Sequence, residues 1–112
     1  MDIRDIVKTD KYAICCRNKE EMLWLEKQLQ QLEIRWISKL PFALTGSCWT
    51  NLRDDGNCAF ACNEIFDDVS RHIVMSFARV DYYHSSGDKP RVIIEAADLM
   101  PSVNYVDLLD LL

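Results

Sequence analysis

Glycine is scarce in this chain: Gly46, Gly56 and Gly87 stand alone. The glycine-rich loop that lets backbone amides cradle a phosphate is therefore missing, and with it that route to nucleotide turnover. No apolar run approaches the ~20 residues that span a bilayer, and the opening Met1-Asp-Ile-Arg-Asp lacks the charged-then-apolar pattern of a secretory signal. The expected location is the cytoplasm. No Cys-x-x-Cys knuckle occurs, which argues against structural zinc. The cysteines are odd in number, Cys15, Cys16, Cys48, Cys58 and Cys62, and the adjacent pair would face opposite sides of a strand, so a disulfide framework is not expected. They read as small buried apolar groups in a reducing compartment. There is no internal repeat, no low-complexity tract, and no basic residue after Arg91.

What remains is an ordinary folding composition. A length of 112 residues with 49% hydrophobic and 28% charged side chains fits one domain, residues 1–112, away from the disordered corner of composition space. Eighteen acidic residues against thirteen basic ones give a net charge of −5, which disfavours direct nucleic-acid binding and favours a basic partner. A local basic patch is still allowed.

Residues 1–10 show no clean period and read as an irregular lead-in or a short edge strand. Tyr12–Arg17 reads as a strand that enters a helix at once: Asn18 is a cap with Glu21 three positions on, and Glu20 and Glu21 suit the positive end of the helix dipole. Met22, Leu25, Leu29 and Leu32 make one buried stripe to about Leu32, widened by Leu23 and Trp24. Ile34–Ile37 is predicted as a second strand with Ile34 and Trp36 on one face. After a connector holding Pro41 and Gly46, Cys48–Asn51 reads as the start of a third strand, and Asp54-Asp55-Gly56-Asn57 as a tight hairpin to Cys58–Cys62. A turn at Asp67-Asp68 leads to a central strand at His72–Phe77, a polar and aromatic connector over Arg79–His84, a loop over Ser85–Pro90, and a last strand at Arg91–Glu95. The expected architecture is α+β: a single, mainly antiparallel sheet of about five to six strands with one main helix packed on it and a short C-terminal helix.

That terminal segment, residues 101–112, is both acidic and apolar. Asn104 would cap it, with Tyr105, Leu108, Leu109 and Leu112 on one face and Asp107 and Asp110 on the other. The eight or nine residues from this cap to Leu112 are fewer than the ~12 an isolated helix needs, so the helix must be held by packing on its own sheet, on a second copy or on a partner.

Cys48, Cys58, Cys62, His72 and His84 could be drawn as a zinc site, but residues four apart on a strand lie far along it, and no metal or other cofactor is expected. A cysteine nucleophile finds no support, since most of the thiols sit in apolar runs and not in the electropositive setting that lowers a thiol pKa; no enzyme activity is expected. The pairs Asp54-Asp55 and Asp67-Asp68 read as turn residues. Trp36, Trp49, Tyr82 and Tyr83, with Arg35, Arg53, Arg79 and Arg91 nearby, are the ingredients of a base-stacking, phosphate-clamping site, and equally those of a protein-interface hot spot. The candidate binding residues are Trp24, Trp49, Arg53, Tyr82, Tyr83, Tyr105, Asp107 and Asp110.

The strand entering an acidic-capped helix (Arg17-Asn-Lys-Glu-Glu-Met-Leu-Trp-Leu), the Trp-bearing Ile34-Arg-Trp-Ile, the second Trp in Cys48-Trp-Thr-Asn and the closing Val92-Ile-Ile-Glu-Ala-Ala-Asp-Leu99 together resemble small accessory proteins encoded by bacteriophages and prophages, over roughly residues 12–99. These landmarks concern the fold and not chemistry. What the resemblance implies is a counter-defence factor of the anti-CRISPR-like kind in the host bacterial cytoplasm. The expectation is thus a non-enzymatic inhibitor that binds a bacterial defence protein or nuclease complex through an acidic and aromatic surface, with a homo-oligomeric sponge for a signalling nucleotide as the alternative.

Overall fold

The first residues form a helix and not a strand, because Asp2 accepts the Arg4 amide and caps a single turn, α1 (Ile3–Ile6), which sends Ile6 into the core. Strand β1 (Tyr12–Cys16) then enters α2 (Lys19–Gln31) through the predicted capping box: the Glu21 amide donates to Asn18 Oδ1 at 2.9 Å, while Glu21 carboxylate oxygens accept from the Arg17 amide and Asn18 Nδ2. Met22, Leu25 and Leu29 are fully buried along the predicted stripe, but Leu23, expected to widen it, is exposed. The computed structural model describes residues 2–66, 71–85 and 90–101; the expected turn at Asp67-Asp68, most of the Ser85–Pro90 loop and the terminal segment lie outside them.

After β2 (Arg35–Trp36), the segment expected as a third strand is helical, α3 (Gly46–Asp55). Thr45 accepts the Cys48 amide at its start, and Gly56, at φ 74°, ends it in the left-handed conformation. The left-handed freedom of Gly56 thus closes a helix and not a hairpin; an Asp-Gly pair serves either end equally well, which is why local sequence misplaces it. The chain continues through β3 (Cys58–Phe66), β4 (Arg71–Ala78), α4 (Val80–Ser85), β5 (Val92–Glu95) and α5 (Ala96–Leu99). The polar connector expected at Arg79–His84 is therefore mostly helix, its first amide (Val80) received by Asn57 Oδ1 at 2.7 Å.

The fold is α+β with one five-stranded sheet in the order β2-β4-β3-β1-β5. It is mixed: β3 runs antiparallel to β1 and β4, whereas β1 with β5 and β2 with β4 are parallel. β4 is internal, as its apolar run predicts. One face carries the large core, in which Ile14, Cys16, Met22, Leu25, Leu29, Phe42, Phe60 and Met75 pack beneath α1, α2, α3 and α5. The other face presents Ala13, Ala59 and Ala61, small enough for α4 to lay Tyr83 against the strands. No helix among the described residues is long and apolar enough to cross a membrane.

Candidate functional site

The expected binding residues do not converge. Trp24 on α2 and Trp49 on α3 are half-buried against the main core, where they act as packing. Arg53 is exposed and holds its chain neighbour Asp54 at 2.8 Å. Tyr82 and Tyr83 lie on the opposite face of the sheet, rings edge to face at 5.2 Å, one 54% exposed and the other 5%. Tyr105, Asp107 and Asp110 lie outside the described residues. The stacking ingredients disperse as well: Trp36 is enclosed by Phe42, Phe60 and Phe77 and donates its indole N–H to the Ala43 carbonyl, and Arg91 is locked into the sheet, donating to the carbonyls of Asp10 and Cys62 and to Asn63 Oδ1.

The cysteines are all buried free thiols. Burial pushes Cys15 up to about 11 and Cys62 up to about 12, leaving them inert at neutral pH. Cys48 is the exception, brought below its ordinary value mainly by the hydrogen bond it receives from the Cys58 thiol, with help from the Thr45 hydroxyl. It is nevertheless fully buried, so the interaction clasps the start of α3 to the start of β3 and exposes no nucleophile. Among the described residues no group of three or more His, Cys, Asp or Glu is arranged to hold a metal; the side chains of His72 and His84 lie outside that description.

A groove of about 740 Å³ opens where the end of α1, the end of α2, β2 and β4 meet. Its floor is aliphatic: Val7, Leu32, Ile34, Ile73 and Val74. Its rim carries Arg4, Lys8, Arg35 and Lys39 against the single acid Glu33, a reversal of the protein's overall charge. Arg4 grips Asp2 through two guanidinium nitrogens and holds that carboxyl down at about 2, and Lys8 sits 3.8 Å from Asp5. Arg35 and Lys39 are in no ion pair among the described residues; Arg35 instead donates to the Lys39 carbonyl at 2.8 Å, which fixes the turn that carries both.

Two backbone positions shape this rim. Glu33 has φ 57° and Lys39 φ 72°, the only non-glycine residues at positive φ among those described. Glu33 closes α2 in a Schellman motif: the Ile34 amide donates to Leu29 and the Glu33 amide to Gln30, with a charged residue where glycine is usual. Lys39 occupies the left-handed corner of the Trp36–Leu40 turn, whose Lys39 amide donates to the Trp36 carbonyl. Beyond that turn lies a second, shallower hollow of about 530 Å³ walled by Leu40, Leu44, Met75 and Phe77. Ile37 and Leu40, 50% and 64% exposed, belong to the wall of this second hollow.

The groove had no local signature, since its walls come from residues 4–8, 32–39 and 73–74. Composition had only left room for a basic patch. No protein-family profile matches the chain, and no curated protein or solved structure matches it either.

Proposed function

We propose that this chain is a non-enzymatic accessory protein of the phage type that inhibits a bacterial defence component by direct protein binding, and that the contact is made around β2. The observation that carries this reading is the aliphatic, cation-rimmed groove beside exposed Ile37 and Leu40. Large apolar side chains left in water in the second hollow mark a recognition surface, and an aliphatic floor with a basic rim suits an acidic, leucine-bearing segment of a partner. The expectation of an acidic and aromatic contact surface is thereby replaced, for the described residues, by a basic and aliphatic one. The second reading is a sponge for a signalling nucleotide, favoured by the cationic rim and by a volume within the ~300–1,000 Å³ range of small-molecule sites. The residues lining the groove include no aromatic ring to stack a base, so protein binding is preferred.

The test is phage plating on a defence-bearing host that expresses the protein, combined with native mass spectrometry of the purified protein. Expression is expected to raise plating, and the double variant Ile37→Glu, Leu40→Glu to abolish the gain while weakening the partner about a hundredfold, the loss of two apolar anchors. A co-purifying nucleotide that disappears in Lys39→Glu, with no protein partner, would establish the sponge instead.

A further inference from the structure

We infer that β5 is a dimer edge: two copies of this chain join their sheets by antiparallel pairing of β5 with β5, in a register centred on Ile93. A contrast in burial points to the edge. In β1, one strand further in, Ala13, Ile14, Cys15 and Cys16 are sealed from water, whereas no residue of β5 is buried and Val92 is 49% exposed. An apolar edge of this kind, Val-Ile-Ile, usually carries a lysine, a proline or a bulge that turns other strands away. β5 carries none of these within its span.

The backbone selects the occupant. Val92 donates its amide to the Lys11 carbonyl and so faces β1; its neighbours Arg91 and Ile93, and Glu95 beyond, therefore face outward. Two of the outward groups are already spent. The Arg91 N–H is held by the Tyr83 carbonyl at 2.9 Å, and the Glu95 C=O, at the cap of α5, accepts the first bond of that helix. The Ile93 N–H and C=O, the Glu95 N–H and the Arg91 C=O have no backbone partner among the described residues.

Antiparallel pairing about Ile93 sets Ile93 against Ile93 of the second copy, Arg91 against Glu95, and Val92 against Ile94. The two Ile93 residues then exchange both bonds and each Glu95 N–H meets an Arg91 C=O, while the spent Arg91 N–H falls opposite the spent Glu95 C=O. A foreign strand would bring a donor to that carbonyl and an acceptor to that amide, leaving both unmet; a second copy brings neither. The edge is thus complementary to itself, as a two-fold contact requires, and it covers Val92 with Ile94. In the order β2-β4-β3-β1-β5, joining at β5 leaves both β2 grooves at the outer ends of the combined sheet, so the dimer is bivalent for whatever the groove binds. The pairing itself does not depend on the groove reading.

Sedimentation of the full chain tests it. Mass should rise from monomer towards dimer with concentration, and Val92→Lys, a change at an exposed position, should leave the fold intact and weaken the dimer about tenfold by setting a lysine in each copy against Ile94 of the other. Register is read by cross-linking. A hydrogen-bonded antiparallel pair holds its Cα atoms about 5.5 Å apart, inside the ~4.4–6.8 Å window of a disulfide, so Ile93→Cys should give a linked dimer under oxidised glutathione. Leu23→Cys, exposed on α2, should not, and the native thiols are buried. Monomer mass at every concentration overturns the inference, as does a dimer indifferent to Val92→Lys. Equal linking of the two cysteine variants would mark random collision and overturn the register.

Discussion

The two faces of the sheet are held by different means. Under α2 and α3 the contacts are large and apolar, with Phe42, Phe60, Met22 and Leu25 sealed from water and Trp36 stacked on Phe42 at 4.4 Å. Under α4 the strands offer alanines, and the organising element is polar: Arg91 donates to Asn63 at 2.7 Å, Asn63 to Ser76 at 3.0 Å, and Ser76 pairs with the Tyr83 hydroxyl at 2.9 Å. The first face derives its strength from excluded water and close packing, the second from hydrogen bonds in a medium where an unmet donor is costly. One sheet therefore has two kinds of fragility.

Phe60→Ala should sharpen this contrast most, because it opens a cavity at the centre of the larger core and should cost about 3–5 kcal/mol in urea unfolding; a loss below ~2 kcal/mol would mean that the core collapses freely. Arg91→Met keeps the aliphatic stem but removes a guanidinium that binds two carbonyls and Asn63, with an expected loss of about 1.5–3 kcal/mol. A neutral effect would show that the polar face is decoration on a sheet stable without it.

Alkaline titration distinguishes the faces by a different route. Burial raises the Tyr83 hydroxyl from its ordinary 10 to about 12, so the native state keeps a proton that the unfolded chain releases. Its contribution is whole below about pH 10 and is lost as pH rises towards 12. Thermal melts should fall across that window, and Tyr83→Phe should flatten part of the fall, leaving the limb due to Cys15 and Cys62, which shift the same way. The smallest effect concerns the groove rim. Glu33→Gly places glycine in a left-handed position and should stabilise by about 0.5–1 kcal/mol, measured as a raised melting temperature. A loss there would mean that the Glu33 side chain does more than end a helix.

Much of the fold was legible where one residue type had one use. Asn18 with Glu21 could only start a helix, the stripe from Met22 to Leu29 could only be its buried side, and the alternation of Ile34 and Trp36 against Arg35 and Ile37 located β2, of which only Arg35–Trp36 pairs as strand. Legibility failed where residues serve two structures. Cys48-Trp-Thr-Asn is strand-like in composition, yet Thr45 ahead of it and Gly56 after it bracket a helix. The parallel pairings, Tyr12 with Val92 and Arg35 with Val74, depend on distant crossovers that no local pattern records. The groove was hidden for the same reason, and its left-handed corners fall on Glu33 and Lys39, residue types that give no hint of positive φ.

The placement of β1 in the sheet has a consequence for the order in which the chain becomes structured. The first strand lies between the third and the fifth, and its parallel partner Val92 stands eighty positions beyond Tyr12. The β3–β4 pair joins neighbouring parts of the chain and can nucleate early, whereas β1 cannot gain its second neighbour until β5 has been synthesised. Until then β1 carries one unpaired edge, and that interval is when it is open to mispairing with another chain.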